Sequence, residues 1–290
     1  MDLATFLVQC LNAVQYGLLL FLVASGLTLI FGIMGVINLA HGSFYMIGAY
    51  LAFVLAPWFG DWYLTKLVAG VVLAAVFGYL LEWAFFSFLY QREHLQQVLM
   101  TYALILVFEE LRSMLVGNDV HGVQAPTWLA GGFKLGELMS YPWYRVFASV
   151  ACIVLAVALY WVVNRTKLGM MIRAGASNRD MVRGLGIAIQ RLYRIVFAGG
   201  VALAALAGMI AAPLSSVYPG MGGSVLIICF VVVVIGGIGS ITGALIASLL
   251  VGFVDTFGKV FFAEFSGIGV YLLMAIILIW KPEGLMKHGR

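Results

Sequence analysis

The sequence predicts an all-α protein, a polytopic integral membrane bundle of about eight or nine transmembrane helices with glycine-rich breaks. Three observations predict it. Of 290 residues, 64% are hydrophobic and 10% are charged, whereas about 25% of residues in soluble domains are charged. Apolar runs of about 20 residues, enough to cross a bilayer as a helix, recur along the chain. No long polar stretch separates them, so residues 1–290 are predicted to form a single transmembrane domain.

The apolar segments are predicted to be helices because lipid offers no hydrogen-bond partners to an exposed backbone. In chain order they lie near 6–33, 42–57, 64–90, 97–116, 142–163, 194–212, 224–252 and 267–281. The first ten residues contain Asp2 and no Lys or Arg. A cleaved signal peptide needs a basic start, so we expect the first span to be retained.

The basic residues predict the orientation. Residues 164–194 hold seven of the sixteen Lys and Arg residues and one acid, Asp180. Positive residues are enriched in cytoplasmic loops, and Trp and Tyr are enriched at membrane interfaces. We therefore expect 164–194 and the C-terminal tail to be cytoplasmic. The connections at 57–63 and 117–143 are rich in Trp and Tyr and are expected at the outer face.

This orientation requires an even number of crossings between residue 194 and the tail. Only three apolar runs are visible there, so the run 224–252 is predicted to break near Gly236–Ser240, within the sequence GGIGSITGA. Residues 27–54 have the same order of apolar helix, glycine-rich break and second apolar helix. This similarity predicts a two-fold internal repeat, as in many transporters, although glycine-rich membrane helices can match by chance.

The glycine-rich break within residues 27–54 contains polar residues at membrane depth. Asn38, His41 and Ser43 lie among glycines in the stretch GIMGVINLAHGSFYMIGAY. Intramembrane polar groups face a cavity or a partner helix. Two interpretations stay open, a solute pathway and an interhelical hydrogen bond. No second His, Cys or carboxylate is near His41 in sequence, so no metal site is predicted.

Three acids also fall in apolar segments. Glu109 and Glu110 are adjacent and therefore point about 100° apart on a helix, so they cannot share one environment. An ion pair between Glu109 and Arg112 would lower the cost of burial, and the alternative is a place on a pathway. Glu82 has the same two interpretations.

The basic segment contains one or two short amphipathic helices between Arg173 and Ile187, which either lie on the membrane surface or dock into a partner. No phosphate-binding loop and no hydrolase or metalloprotease motif is present. The three cysteines lie in apolar runs and match no disulfide or metal framework. The sequence therefore predicts no cofactor, and its net charge of +4 follows topology rather than a nucleic-acid partner.

Three stretches carry a family resemblance. The first is SGLTLIFGIMGVINLAHGSFYMIGAY (25–50), the second RTKLGMMIRAGASNRDMVRGLGI (165–187) and the third VVVVIGGIGSITGALIASLL (231–250). In this order they resemble permease subunits of branched-chain amino acid ABC importers, of the type bearing N-x-A-H-G. The sister permease usually has an S-L-G-H version. The acidic run FEELRSM looks more like members thought to carry aromatic acids, amides or urea.

The resemblance implies a non-enzymatic subunit in the bacterial inner membrane. Its partners would be a homologous permease, two ATP-binding subunits, a periplasmic binding protein and membrane lipid. The solute pathway is predicted at Asn38, His41, Ser43, Tyr45, Glu109, Gly236, Gly237, Ser240 and Thr242. The ATPase-coupling residues are predicted to be Arg173, Ala174, Ala176, Arg179, Asp180, Arg183, Gly184, Leu185 and Gly186.

The main alternative to an importer subunit is a stand-alone secondary carrier. It would couple solute movement to a proton or cation bound at an intramembrane acid, and the candidate acids are Glu82, Glu109 and Glu110. An ABC permease copurifies with ATPase subunits, whereas a lone carrier does not.

Overall fold

A computed structural model describes residues 3–90, 92–134, 140–262, 264 and 266–286. The first half holds α1 (Leu3–Met34), α2 (His41–Val54), α3 (Ala56–Phe59), α4 (Tyr63–Ala84) and α5 (His94–Val116). An outer connection follows, with a short antiparallel pair, β1 (Gly132–Lys134) and β2 (Ser140–Pro142). The second half holds α6 (Trp143–Arg165), α7 (Lys167–Ser177), α8 (Arg179–Gly184), α9 (Ile189–Ala211), α10 (Met221–Gly236), α11 (Ile241–Phe261) and α12 (Ser266–Trp280). Single turns of 3₁₀ helix lie at Phe86–Phe88 and Thr127–Leu129.

Five helices in the described ranges are long and apolar enough to cross a membrane: α1, α4, α6, α9 and α11. Two shorter apolar helices, Met221–Gly236 and Gly267–Trp280, accompany them. The predicted class, a polytopic helical membrane bundle, is therefore confirmed. The number of crossings and the internal repeat stay predictions.

Helix α1 is the centre of the bundle. It packs against α6, α9, α10 and α11, and 83% of its most apolar window is buried. In α6 the buried share is 17%. Helix α6 therefore presents most of its apolar surface outward, to lipid or to a partner, whereas α1 is surrounded by the helices of its own chain.

The predicted break near Gly236–Ser240 is present. Helix α10 ends at Gly236 and α11 begins at Ile241. Gly237 adopts a φ of 94°, a conformation that glycine reaches without steric cost. Ser240 then caps α11, because its Oγ accepts a hydrogen bond from the Gly243 N–H at 3.0 Å. A side chain that satisfies a free N–H in this way fixes where the helix starts.

The short helices α2 and α10 meet at their first turns. A methyl group on Gly42 would overlap the carbonyl oxygen of Gly222, and one on Gly222 would lie 2.8 Å from the Gly42 oxygen. Small residues let helix backbones approach closely in membranes. The two glycines therefore set how closely α2 and α10 approach each other.

We expect Gly42→Ala to lower the free energy of unfolding by about 1–3 kcal/mol, the usual cost of overpacking, because backbone atoms cannot move aside as a side chain can. The measurement is the thermal unfolding midpoint of the purified chain in detergent. Gly223→Ala is the matched control, since a methyl group there meets nothing within 4 Å. Equal midpoints for the two variants would contradict the close approach.

Candidate functional site

An outer cavity of about 510 Å³ lies between α1, α6 and α11. Its residues come from the start of α6 and the end of α11, the end of the bundle that the distribution of basic residues predicts to face outward. Ligand sites commonly have volumes of about 300–1,000 Å³. Its polar lining consists of Gln9, Asn12, Gln15, Tyr16, Tyr45, Arg145, Ser215, Asp255, Thr256 and Lys259.

The outer cavity holds three charges. Arg145 Nη1 donates hydrogen bonds to Asn12 Oδ1 at 2.8 Å and to Gln15 Oε1 at 3.2 Å. Lys259 Nζ donates to Asp255 Oδ2 at 2.5 Å. The cavity thus contains an internal ion pair and one further positive charge.

Tyr141 lies beside Arg145 on the outer connection. Burial raises the pKa of the Tyr141 hydroxyl, and the positive charge of Arg145 opposes part of that rise. The hydroxyl therefore stays protonated and leaves the charge of Arg145 uncompensated.

An inner cavity of about 350 Å³ lies at the opposite end of α1. Helix α1 lines it with Thr28, Leu29, Gly32 and Ile33, and Ser240 and Thr242 line it from the start of α11. Arg173 and Ala176 of α7 complete its cytoplasmic side. The lining of the inner cavity therefore contains both predicted pathway residues and residues of the predicted coupling segment.

A short stretch of α1 separates the two cavities. Val23 is the α1 residue deepest in the outer cavity, and Thr28 is the first in the inner one. Five residues of helix rise by about 7–8 Å. Residues 24–27 therefore form a thin barrier, and within it Gly26 packs against the backbone of Gly200 in α9.

The polar residues of the first glycine-rich break, Asn38, His41 and Ser43, lie outside the two cavities. His41 Nε2 donates to the Val23 carbonyl oxygen at 2.9 Å, which is the interhelical hydrogen bond that the sequence left open. Asn38 Oδ1 accepts from the Ala40 N–H at 3.0 Å. Asn38, His41 and Ser43 are all buried and line neither cavity. Of this group only Tyr45 reaches the outer cavity, and a pathway role for the other three stays a prediction.

Gly236 and Gly237 contact the segment that follows α12. Leu285 N–H donates to Ile235 O at 2.8 Å, and Met286 N–H donates to Gly236 O at 3.2 Å. Both glycines are buried, so they shape the break rather than line the inner cavity, which Met286 lines in their place.

The buried acid Glu82 is fully paired. Its Oε1 accepts from the Tyr90 hydroxyl at 2.6 Å, and its Oε2 accepts from Arg194 Nε at 3.2 Å. Burial raises the pKa of Tyr90, so that hydroxyl keeps its proton as the donor. Glu82 is therefore held between two partners.

Glu109 pairs with Arg112 at 3.0 Å, as one interpretation of the sequence predicted. Arg112 also donates to the carbonyl oxygen of Gly117 at 2.6 Å. Glu110 is exposed. No acid of this group lines either cavity along α1.

The predicted coupling segment, residues 164–194, contains two short helices, α7 and α8, as its sequence pattern predicted. Side chains cap both, since Thr166 Oγ1 accepts from Gly169 N–H at 3.2 Å and Asn178 Oδ1 accepts from Met181 N–H at 2.9 Å. Arg173 Nη1 bonds the Val163 carbonyl oxygen, and the side chain of Asp180 lies outside the described part. All the predicted coupling residues whose side chains are described are exposed: Arg173, Ala174, Ala176, Arg179, Arg183, Gly184, Leu185 and Gly186.

Both coupling helices contact the inner end of α1. The Arg179 guanidinium lies beside Gly35, and Gly175 of α7 packs on Ile33. Arg179 and Arg183 also line a cytoplasmic cavity of about 590 Å³ together with Arg191 and Arg194. This surface is strongly basic. The sequence alone could not predict that it contacts the end of α1, because that contact depends on how the helices pack.

The described residues thus form a helical membrane bundle with a cavity at each end of its central helix. The chain belongs to the family described as branched-chain amino acid transport system / permease component, whose model matches residues 9–279.

Curated relatives carry similar descriptions. The high-affinity branched-chain amino acid transport system permease protein BraD of Pseudomonas aeruginosa is 30% identical over 297 residues, which cover 97% of this chain and 95% of the relative. LivH of Escherichia coli K12 is 26% identical and covers the same shares. LivM of E. coli K12 is 25% identical over 91% of this chain and 67% of the relative. No solved structure matches the chain.

These comparisons agree with a non-enzymatic permease and give no support to a stand-alone carrier. Glu82 points the same way, because its side chain is 1% exposed and paired, whereas an ion-coupling acid must be reachable by the ion.

We expect Glu82→Ala to lower the free energy of unfolding by about 1.5–3 kcal/mol, since hydrogen bonds to a charged group are lost and Arg194 loses its partner. The thermal midpoint in detergent measures this. Glu110→Ala, at an exposed acid, is the control and should leave the midpoint unchanged. A midpoint for Glu82→Ala equal to that of the control would refute a structural role for Glu82.

Proposed function

We propose that the chain is a permease subunit of a bacterial ABC importer in the inner membrane and forms half of a translocation pathway. The observation that carries this proposal is the likeness to BraD, a permease of a branched-chain amino acid transport system, over 97% of the chain. The solute is a branched-chain amino acid or a related small solute, such as an aromatic acid, an amide or urea.

The other half of the pathway is a homologous permease. Two differently named permeases from one organism, LivH and LivM of E. coli K12, are both similar to this chain. A pair of unlike but related subunits is the arrangement that this supports. Two ATP-binding subunits and a periplasmic binding protein complete the importer.

Copurification tests this assembly. The tagged chain, expressed with the ATPase and permease genes of its own chromosome neighbourhood, is expected to bring down both ATPase subunits and the second permease. Proteoliposomes of the complex should take up solute with ATP and its binding protein, and a protonophore should not abolish uptake. Purification of the chain alone, with protonophore-sensitive uptake, would overturn the proposal in favour of a carrier.

The contacts around α1 suggest a coupling route. ATP-driven movement of α7 and α8 would reach the inner end of α1 through Arg179 beside Gly35 and Gly175 on Ile33. A shift of α1 would change the thin barrier at residues 24–27. A two-state change of this kind requires contacts that differ between the states, and the ATPase would supply them.

We expect Arg183→Glu to uncouple transport: solute and binding protein would no longer stimulate ATP hydrolysis, and uptake would fall about tenfold or more. The reason is that opposite charge at an exposed docking surface repels a partner that Arg183 attracts. Arg92→Glu, an exposed arginine outside the segment, is the control. Wild-type stimulation in Arg183→Glu would remove the coupling assignment.

Asn38→Leu and His41→Leu are expected to lower uptake several-fold while insertion into the membrane stays intact. His41→Leu loses the hydrogen bond to Val23 at the barrier, which is worth about 1 kcal/mol, and Asn38→Leu loses the polar turn that leads into α2. Uptake per molecule is measured against the amount of chain in the membrane. If both variants transport normally, these residues serve neither the pathway nor its barrier.

A further inference from the structure

Arg145 in the outer cavity has no acidic partner among the described residues. Its hydrogen-bond acceptors are the neutral amide oxygens of Asn12 and Gln15. Buried and half-buried charges in membrane proteins usually pair with an opposite charge. A guanidinium has five N–H donors in a planar fork that suits a carboxylate. In addition to its two amide partners, Arg145 can therefore bind an anion of planar, two-oxygen shape.

The position of Arg145 makes this lack of a partner more costly. Helix α6 begins at Trp143, so Arg145 lies in its first turn. The N-terminus of a helix carries a partial positive charge, and cations there are disfavoured. The charge of Arg145 and the partial positive charge at the start of α6 thus lie close together at a half-buried position. An anion bound in the cavity would be attracted by both and would stabilise both.

A carboxylate of the protein lies on the other side of the same cavity. Asp255 is 7% exposed and pairs with Lys259, whose side chain is 60% exposed. The lysine end of this pair lies in solvent, and its flexible stem allows the ammonium group to move away. The buried carboxylate of Asp255 then needs another cation in its place. An incoming ammonium group can therefore replace Lys259 at Asp255.

Part of the remaining lining is aliphatic. Leu19, Leu20 and Val23 of α1 face the cavity, and so do Leu214 and Val225. An apolar wall with a few placed polar groups is the usual composition of a small-molecule site. The cavity thus offers one site for a carboxylate, one for an ammonium group and a wall for an apolar side chain.

We propose that the outer cavity is a solute-binding station of the permease itself, in which Arg145 binds the carboxylate and Asp255 the ammonium group of an α-amino acid. This rests on the proposed importer function and narrows its solute. Urea and simple amides lack the anion that Arg145 requires, whereas an amino acid with an aliphatic side chain matches all three parts of the cavity.

The first experiment measures the charge preference of the cavity without any assumption about the solute. Cys10→Ser removes the half-exposed cysteine, and Thr256→Cys places a thiol in the lining; Cys152 and Cys229 are buried. The modification rates of this thiol by a sulfonate-bearing and a trimethylammonium-bearing methanethiosulfonate are then compared.

We expect the anionic reagent to modify the thiol about tenfold faster than the cationic one, because a unit positive charge lies a few ångströms away. Arg145→Gln should abolish the preference and Arg145→Lys should keep it. An equal preference with and without Arg145 would overturn the anion site.

The second experiment measures ATP-driven uptake of radiolabelled L-leucine by the complete importer with its binding protein. Arg145→Gln is expected to lower uptake at least tenfold, Arg145→Lys to retain a larger share, and Arg92→Gln to match the wild type. Asp255→Asn should also lower uptake, and normal uptake by it would remove the ammonium half of the proposal. Unchanged uptake by a well-folded Arg145→Gln variant would remove the carboxylate half.

The two failures are distinguishable. If the chain does not assemble with ATPases, the importer function fails. If the importer assembles and takes up L-leucine but does so equally well without Arg145, only the binding station fails. If it assembles and its wild type takes up urea but no L-leucine, the solute assignment is overturned while the importer function stands.

Discussion

Lipid supplies no hydrogen-bond partners, and the rest of this structure depends on that constraint. Each polar group at membrane depth must find a partner inside the bundle or face water. Glu82 meets the constraint through Tyr90 and Arg194. His41 meets it at Nε2 through the backbone of α1, whereas its Nδ1 has no hydrogen-bond partner among the described residues. At the two ends of α1, polar side chains of α6, α7 and α11 collect around the cavities.

Close packing around α1 explains how two such cavities can lie so near each other without joining. Small residues bring α1 against α9, where Gly26 meets Gly200, and α2 against α10, where Gly42 meets Gly222. Backbone-to-backbone contact leaves no room for water between the helices. About one and a half turns of α1 can then keep the two cavities apart.

The sequence predicted the features that depend on local pattern or on counting. The break at Gly236–Ser240 followed from the distribution of basic residues and the parity of crossings, and the two amphipathic helices followed from their own residues. The outer cavity could not be predicted, because Gln15, Arg145 and Asp255 are more than a hundred residues apart and become neighbours only through packing. The sequence pattern also could not predict that His41 faces the backbone of α1 instead of a cavity. A polar residue in an apolar segment is compatible with both positions.

The segment after α12 has a consequence for how this protein is handled. Its backbone bonds to Ile235 and Gly236, so Met286 forms part of the cytoplasmic mouth of the bundle. A small fluorophore attached to a cysteine at residue 286 would lie in the lining of the inner cavity, and its emission would follow changes in the polarity of that cavity.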